Sequence, residues 1–439
     1  MQNIEIRNSS HAFYEFLEVC KLPLPSGIKI YKKGYLLKKS GGRFRENKLQ
    51  TYAGVFCKRW LQRWFLISEE GFLYTINSLS TQIREVLNFD QSFKIEYGTK
   101  ETGTKFGITI ITSTRKIYLR APDFFQALDW ISSIQDAVKN CAYVNINRFY
   151  SFAPVRNPTS FCKWYIDGEG YFNDVYEAII KATKEVFLTG WWISPELYLK
   201  RPVSPDNTEF RLDKVLQKIA SRGVKINIIL YREVKLALNN DSAYTKSALQ
   251  SLSPNIKVIR HPKEFLFLWS HHEKMVVVDQ SIAFLGGLDL CYGRMDTNSH
   301  PLHDPASLEG QGETFPGIDY ANPRIADFRN VREYSNSLIE KNVVPRLPWH
   351  DIAMMVVGEP VKDLTRHFIQ TWNFAQIELN GKKDSFIIPK TIHRPKNEDK
   401  TESKSKNLKL KAARLKSKMK TILKLQTNSQ KNAAESSDK

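Results

Sequence analysis

Residues 269–287 read WSHHEKMVVVDQSIAFLGG. Met275, Val276, Val277 and Val278 form the apolar core of a strand, and IAFLGG (282–287) reads as a second strand beside it. His272, Lys274 and Asp279 punctuate this run at fixed offsets, as His-x-Lys-x-x-x-x-Asp. A charge in a buried strand is costly unless it is paired or at work. Residues two apart share one face of a strand, so His272 and Lys274 project together, while Asp279 falls at the turn into IAFLGG.

Outward from this hairpin, the chain from about 161 to 390 alternates strands with helices. EVFLTGWWI (185–193), VKINIILY (224–231) and IKVIRH (256–261) read as strands. FRLDKVLQKIASRG (210–223) and DSAYTKSALQSL (241–252) read as helices. Such alternation predicts an α/β lobe, a largely parallel or mixed sheet covered by helices on both faces.

Residues 29–141 have a different texture. GYLLKKSGG (34–42), KRWLQRWFLI (58–67), GFLYTI (71–76) and KIYLRA (116–121) are β-rich runs separated by turn residues. FFQALDWISSIQDAV (124–138) follows with helical spacing, so this segment reads as a β-barrel-like or curved sheet capped by a C-terminal helix. Residues 1–28 read as a short N-terminal helix and linker, and 142–160 as a second linker. Residues 391–439 form a basic tail that reads as disordered, except that 406–425 has the pattern of a basic amphipathic helix suited to an anionic bilayer.

The net charge is +19, and Lys390–Lys439 holds 15 Lys/Arg against 5 Asp/Glu. A polyanionic partner follows, either an acidic membrane face or nucleic acid. No apolar run approaches the roughly 20 residues that span a bilayer. The start of the chain has no basic region leading into an apolar one, so no secretory signal is read. Cys20, Cys57, Cys141, Cys162 and Cys291 are scattered, odd in number and unpaired in spacing. They read as reduced thiols of a cytosolic protein.

An imidazole beside an ammonium suits chemistry on a phosphate. Imidazole attacks phosphorus or moves a proton near neutral pH. The lysine stabilises non-bridging oxygens as charge develops. An aspartate can orient a group or balance the site's charge. Cationic side chains here take the place of a metal, so neither metal nor cofactor is called for. His261-Pro262-Lys263 starts the same pattern but has Leu268 at the aspartate position. His271 reads as structural.

HHEKMVVVDQSIAFLGGLDLCYGRMD (271–296) resembles the first HxKxxxxD motif of the phospholipase D superfamily. KWYIDGEGYFNDVYEAI (163–179), TGWWISPELYLKRPV (189–203), YREVKLAL (231–238), PRLPWHDIA (345–353) and RHFIQTWNF (366–374) are similar to stretches of the eukaryotic phosphatidylcholine-hydrolysing phospholipases D. GYLLKK, KRWLQRWFLI and Trp130 likewise resemble a pleckstrin-homology domain, with Trp130 as a core plug. The resemblance implies hydrolysis of phosphatidylcholine to phosphatidic acid and choline through a phosphohistidine. His272 is then the nucleophile or proton-transfer partner, Lys274 the phosphate clamp and Asp279 an orienting residue. Trp349, His350 and Asp351 are implied at the headgroup pocket. Lys38, Lys39, Lys58, Arg59 and Arg63 are implied at a phosphoinositide site, and Cys57 is a lipidation candidate. A peripheral protein of cytosolic membrane faces is the implied setting.

The family builds its site from two such motifs. Of the nine histidines, at 11, 261, 271, 272, 300, 303, 350, 367 and 393, only His272 satisfies the pattern. The resemblance fades near FIIPK (386–390), and no phox-homology segment precedes the pleckstrin-homology one. The chain thus reads as an N-terminal half, whose turnover needs a second catalytic lobe or a homodimer to supply the other motif. The alternative is a non-catalytic, phosphoinositide-binding homologue held on anionic membranes. Nucleic acid is the disfavoured partner, because the flanks resemble the lipase subgroup.

Overall fold

The computed structural model describes residues 28–40, 60–112, 115–144, 160–203, 207–234, 238–261, 270–320, 329–379 and 386–387. Cys57, Lys58, Arg59, the N-terminal patch and the 406–425 segment lie outside these residues.

The first sheet contains β1 (Ile30–Lys39), β2 (Trp60–Ser68), β3 (Gly71–Thr75), β4 (Ile83–Asn88), β5 (Lys94–Tyr97), β6 (Gly107–Ile111) and β7 (Lys116–Arg120). Its order is β4-β3-β2-β1-β7-β6-β5, so the ladder is open, with β4 and β5 at its edges. Helix α1 (Phe124–Asn140) follows, capped by Asp123, whose carboxylate accepts the Gln126 N–H at 2.8 Å. Trp130 of α1 is 2% exposed and meets the Phe72 ring edge-on. Gly34 on β1 makes room for it, since a Cβ there would sit 3.1 Å from the Trp130 ring. This is the sheet-plus-helix unit expected for residues 29–141. The additional strands β4, β5 and β6 carry weaker patterns; β4 even buries a charge, Glu85, which pairs with Arg115 at 2.7 Å.

The second sheet contains β8 (Phe161–Ile166), β9 (Glu185–Gly190), β10 (Lys225–Leu230), β11 (Ile256–Arg260), β12 (Met275–Val278), β13 (Ile282–Gly286) and β14 (Ile352–Val357). Its order is β11-β10-β9-β12-β13-β14-β8. β9, β10 and β11 run parallel, whereas β12, β13, β14 and β8 pair antiparallel. The sheet is therefore mixed, and both faces are buried, which the alternation shows directly. Val186, Leu188, Ile226, Ile228, Val276 and Val278 face a core shared with α2 (Gly168–Ile180), α3 (Leu212–Ser221) and α4 (Ser242–Leu252). Phe187, Ile229, Met275 and Val277 face the other core, under α5 (Pro360–Glu378). An uninterrupted apolar strand is what two-sided burial requires.

A buried ion pair joins the first sheet to α5. Arg366 Nη1 lies 2.5 Å from Glu70 Oε2, and its other amine donates to the Phe89 carbonyl. The guanidinium rests 3.7 Å from the Tyr143 ring centre, and Tyr143 Oη donates to Asp363 at 3.0 Å. Glu70, Tyr143, Asp363 and Arg366 are all buried. Arg366→Ala strands the Glu70 carboxylate in a dry interface, and the loss is expected to be about 3–5 kcal/mol. Calorimetry should then resolve two unfolding transitions where the parent chain shows one; a single transition at the parent temperature would refute the coupling.

Candidate functional site

Lys274 is the last residue before β12, and its parity with Val276 and Val278 aims it at the core shared with α2. Its side chain is only 6% exposed, so its ammonium requires partners. Asp289 supplies the first, with Oδ2 at 3.0 Å from Nζ. The other Asp289 oxygen accepts the Trp191 and Trp192 N–H groups at 2.9 and 3.2 Å. Burial pushes the Asp289 carboxyl up from its ordinary value, while Lys274 and the Trp192 N–H draw it back.

His272 stands above this pair, exposed, with Nδ1 3.2 Å from Lys274 Nζ. The Trp191 ring flanks it, centroids 5.6 Å apart. Partial burial and then the Lys274 charge hold the His272 imidazole below its ordinary value, against the opposing pull of Asp289 and Asp351. Near neutral pH the ring is therefore a free base. Because an ammonium only donates, Nδ1 accepts from Lys274 and the Nε2 side of the ring faces outward.

Asp279 does not join them. It follows β12 at its other end, about 16 Å along the chain from Lys274 at a strand's rise of about 3.3 Å per residue. Asp279 and Gln280, both at positive φ (50° and 53°), are the central residues of a turn closed by the Ser281 N–H on the Val278 carbonyl, within the three-residue connection between β12 and β13. The Asp279 carboxylate accepts the N–H groups of Thr183, Lys184 and Glu185 at 2.8–2.9 Å and the Thr183 hydroxyl at 2.8 Å. It fastens the start of β9 to the hairpin, and so orients backbone rather than substrate. The carboxylate that meets the lysine is Asp289. Sequence reading passed over it, although an aspartate inside the apolar GGLDL raises the same question as Lys274.

Trp349, His350 and Asp351 precede β14 and border the same end of the sheet. Gly287 is what brings Asp351 in: a Cβ there would lie 1.8 Å from Asp351 Oδ1. Asp351 Oδ2 accepts the Trp349 Nε1–H at 3.3 Å. One face of the Trp349 ring already carries the Arg294 guanidinium, 3.8 Å from its centre. His350 is exposed, with Nδ1 2.8 Å from Asp167 Oδ1.

In the first sheet, Lys38 and Arg63 share the inner face, since Leu36 pairs with Arg63 and Lys38 with Leu61. Lys38 is mostly buried, its ammonium 5.3 Å from the Tyr74 ring centre. Lys39 lies on the outer face, between Trp60 and Tyr118.

Behind the site, His271 shares a hydrogen bond of 2.6 Å with the Thr189 hydroxyl and stacks on His261. Burial, then His261, pushes its imidazole down to about 4. An unfolded chain protonates this ring near 6.5, so stability falls as pH drops from there through about 4, by on the order of 3 kcal/mol. His271→Gln should remove that increment. Urea midpoints of the two proteins from pH 7 to pH 4 check it, and parallel curves would reject it.

An imidazole over a buried lysine–carboxylate pair, on a mixed α/β sheet, is an arrangement suited to gripping a phosphate. The comparisons with known proteins supply a family. Residues 178–432 match the Phospholipase D family, and residues 30–139 match the PH domain family. The former stretch continues past residue 390, where the sequence reading placed the end of the lobe. Phospholipase D2 of Bos taurus is 38% identical over 409 residues, covering 87% of this chain and 43% of that protein. Phospholipase D1 of Homo sapiens is 31% identical over 532 residues, covering 87% of this chain and 49% of its own. Among solved structures, the phospholipase D family member Nuc of Salmonella typhimurium covers 49% of this chain and 95% of its own, at 13% identity and a TM-score of 0.27. The chain belongs to the phospholipase D family, with a PH domain ahead of its α/β lobe. It spans less than half the length of these two curated relatives. Among the described residues, no helix is long and apolar enough to cross a membrane.

Proposed function

We propose that this chain supplies one half of a phospholipase D site that hydrolyses phosphatidylcholine to phosphatidic acid and choline. The observation that carries this reading is the Lys274 ammonium, buried between Asp289 and His272 at 3.0 and 3.2 Å. An arriving phosphodiester offers Lys274 a better acceptor than the ring does, an anionic oxygen. Released from Lys274, Nδ1 takes up a proton from solvent as Nε2 gives up its own, and Nε2 then presents its lone pair to phosphorus. The P–N bond forms as the bond to the choline oxygen breaks, and choline leaves with a proton. Water then attacks phosphorus, phosphatidic acid departs, and the imidazole is regenerated.

The proton for choline comes from a second HxK motif, on another lobe or a second copy of the chain. General acid help of this kind is typically worth about 10²–10⁴ in rate. Lys38 and Arg63 on the inner face of the first sheet, with Lys58 and Arg59, would take a phosphoinositide headgroup and hold the lobe at a cytosolic membrane face. Trp349, with Arg294 on one face of its ring, would border the headgroup.

Choline release from mixed phosphatidylcholine and phosphatidylinositol bisphosphate vesicles tests the proposal. His272→Asn should abolish turnover, and Lys274→Met should lower it about 10²–10³-fold, as for loss of one preorganised donor. The acid limb of the rate profile should lie below 6.5, because the site needs the neutral His272 ring and its proton affinity is depressed; Lys274→Met should move that limb upward. Turnover unchanged in His272→Asn would reject the assigned residue, and no turnover from the parent would leave the non-catalytic membrane-binding homologue.

A further inference from the structure

Beside the proposed catalytic pair lies a second cluster, built by three separate segments. Asp167 sits between β8 and α2, His300 in the loop after β13, and His350 just before β14. Asp167 is 1% exposed, and a carboxylate so deeply buried needs full compensation. Its Oδ1 receives His350 Nδ1 at 2.8 Å and the Asp351 N–H at 3.2 Å. Its Oδ2 lies 3.2 Å from His300 Nε2, yet accepts no hydrogen bond among the described residues. An imidazolium at that distance would aim its N–H at the oxygen. Here the two atoms are close without hydrogen-bond alignment, a convergence that leaves Asp167 Oδ2 without a donor among the described residues.

The rest of the cluster fits that convergence. One donor atom from each of Asp167, His300 and His350 lies within 4.8 Å of the other two. Ligands of a tetrahedral zinc ion stand roughly 3.4 Å apart, given bonds of about 2.0–2.1 Å. Side-chain rotation must close the difference, and His350 is the exposed ring of the three. His300 Nδ1, also buried without a hydrogen bond, faces Asp296 Oδ1 at 3.7 Å. A carboxylate behind a histidine is the usual support for a metal-bound imidazole. Asp296 is fully buried and fixed by Arg346 at 2.8 Å and by the Trp349 N–H at 2.7 Å.

We propose that Asp167, His300 and His350 bind one divalent transition ion of the zinc class, with an open position toward solvent. Two imidazoles and a carboxylate favour such an ion over calcium or magnesium, which take oxygen ligands. The ion would take no part in bond breaking. It would tie the β8–α2 junction, the 297–304 loop and the strand-entry segment around Trp349 and Asp351, fixing one wall of the pocket.

The test uses the purified full chain, stripped with a chelator and titrated with zinc ion against a chromogenic competitor. The parent chain should retain one zinc, and zinc should raise its unfolding temperature. His350→Ala, whose exposed side chain the fold can spare, should weaken binding at least about tenfold, given that even a residue behind a ligand is worth 10–100-fold. The double variant His300→Ala/His350→Ala should lose the site and its thermal response. Calcium and magnesium at equal concentration should produce no shift. Zinc retention by the double variant equal to the parent's would overturn the assignment, as would a parent chain that binds no zinc.

Discussion

The buried ammonium of Lys274 is the constraint around which the lobe is arranged. An ion inside a packed sheet must have counter-charge and donors at fixed distance. Asp289 provides the charge, and the backbone of Trp191 and Trp192 fixes Asp289. That requirement joins the end of β9, the entry to β12 and the segment after β13 at one point. His272 then has a defined place, above a cation that cannot move away and beside an aromatic wall. Held as a free base next to a positive charge, it is set to meet an anion. The proposed phosphate chemistry rests on the packing requirement as much as on the side chains themselves.

Much of this was legible before any coordinates. The period of two in MVVV, flanked by His272 and Lys274, placed imidazole and ammonium on one side of a strand. The helix-alternating texture predicted a largely parallel or mixed sheet covered on both faces, and the sheet is mixed. What escaped had physical reasons. Asp289 is defined by a partner fifteen positions away, and local pattern does not report such pairings. Asp279 has the right offset for the motif, yet a strand only four residues long carries it to the opposite end of the sheet. There three N–H groups and a left-handed turn need a carboxylate more than the site does. The strands β4, β5 and β8 were faint because each is short and mixes charged with apolar residues. Arg366 was read only as part of a matching stretch, and its partner Glu70 belongs to the other domain.

The two clusters at this end of the sheet divide the work. One is an ammonium beside a neutral imidazole, poised for an anion. The other is an anion with two imidazoles, poised for a cation. Asp351 stands between them, its N–H on Asp167 and its carboxylate against Gly287. Its charge also acts on the His272 ring, so it faces both clusters.

The Arg366–Glu70 pair has one more consequence, for ionic strength. Mobile ions screen charges on the surface within about a nanometre but do not enter a dry interface. Raising salt should therefore release this basic chain from an anionic bilayer while the two domains keep their mutual pose. Adhesion and architecture respond to different electrostatics in the same molecule, so a protein washed off vesicles by salt would return to them on dilution without having to refold.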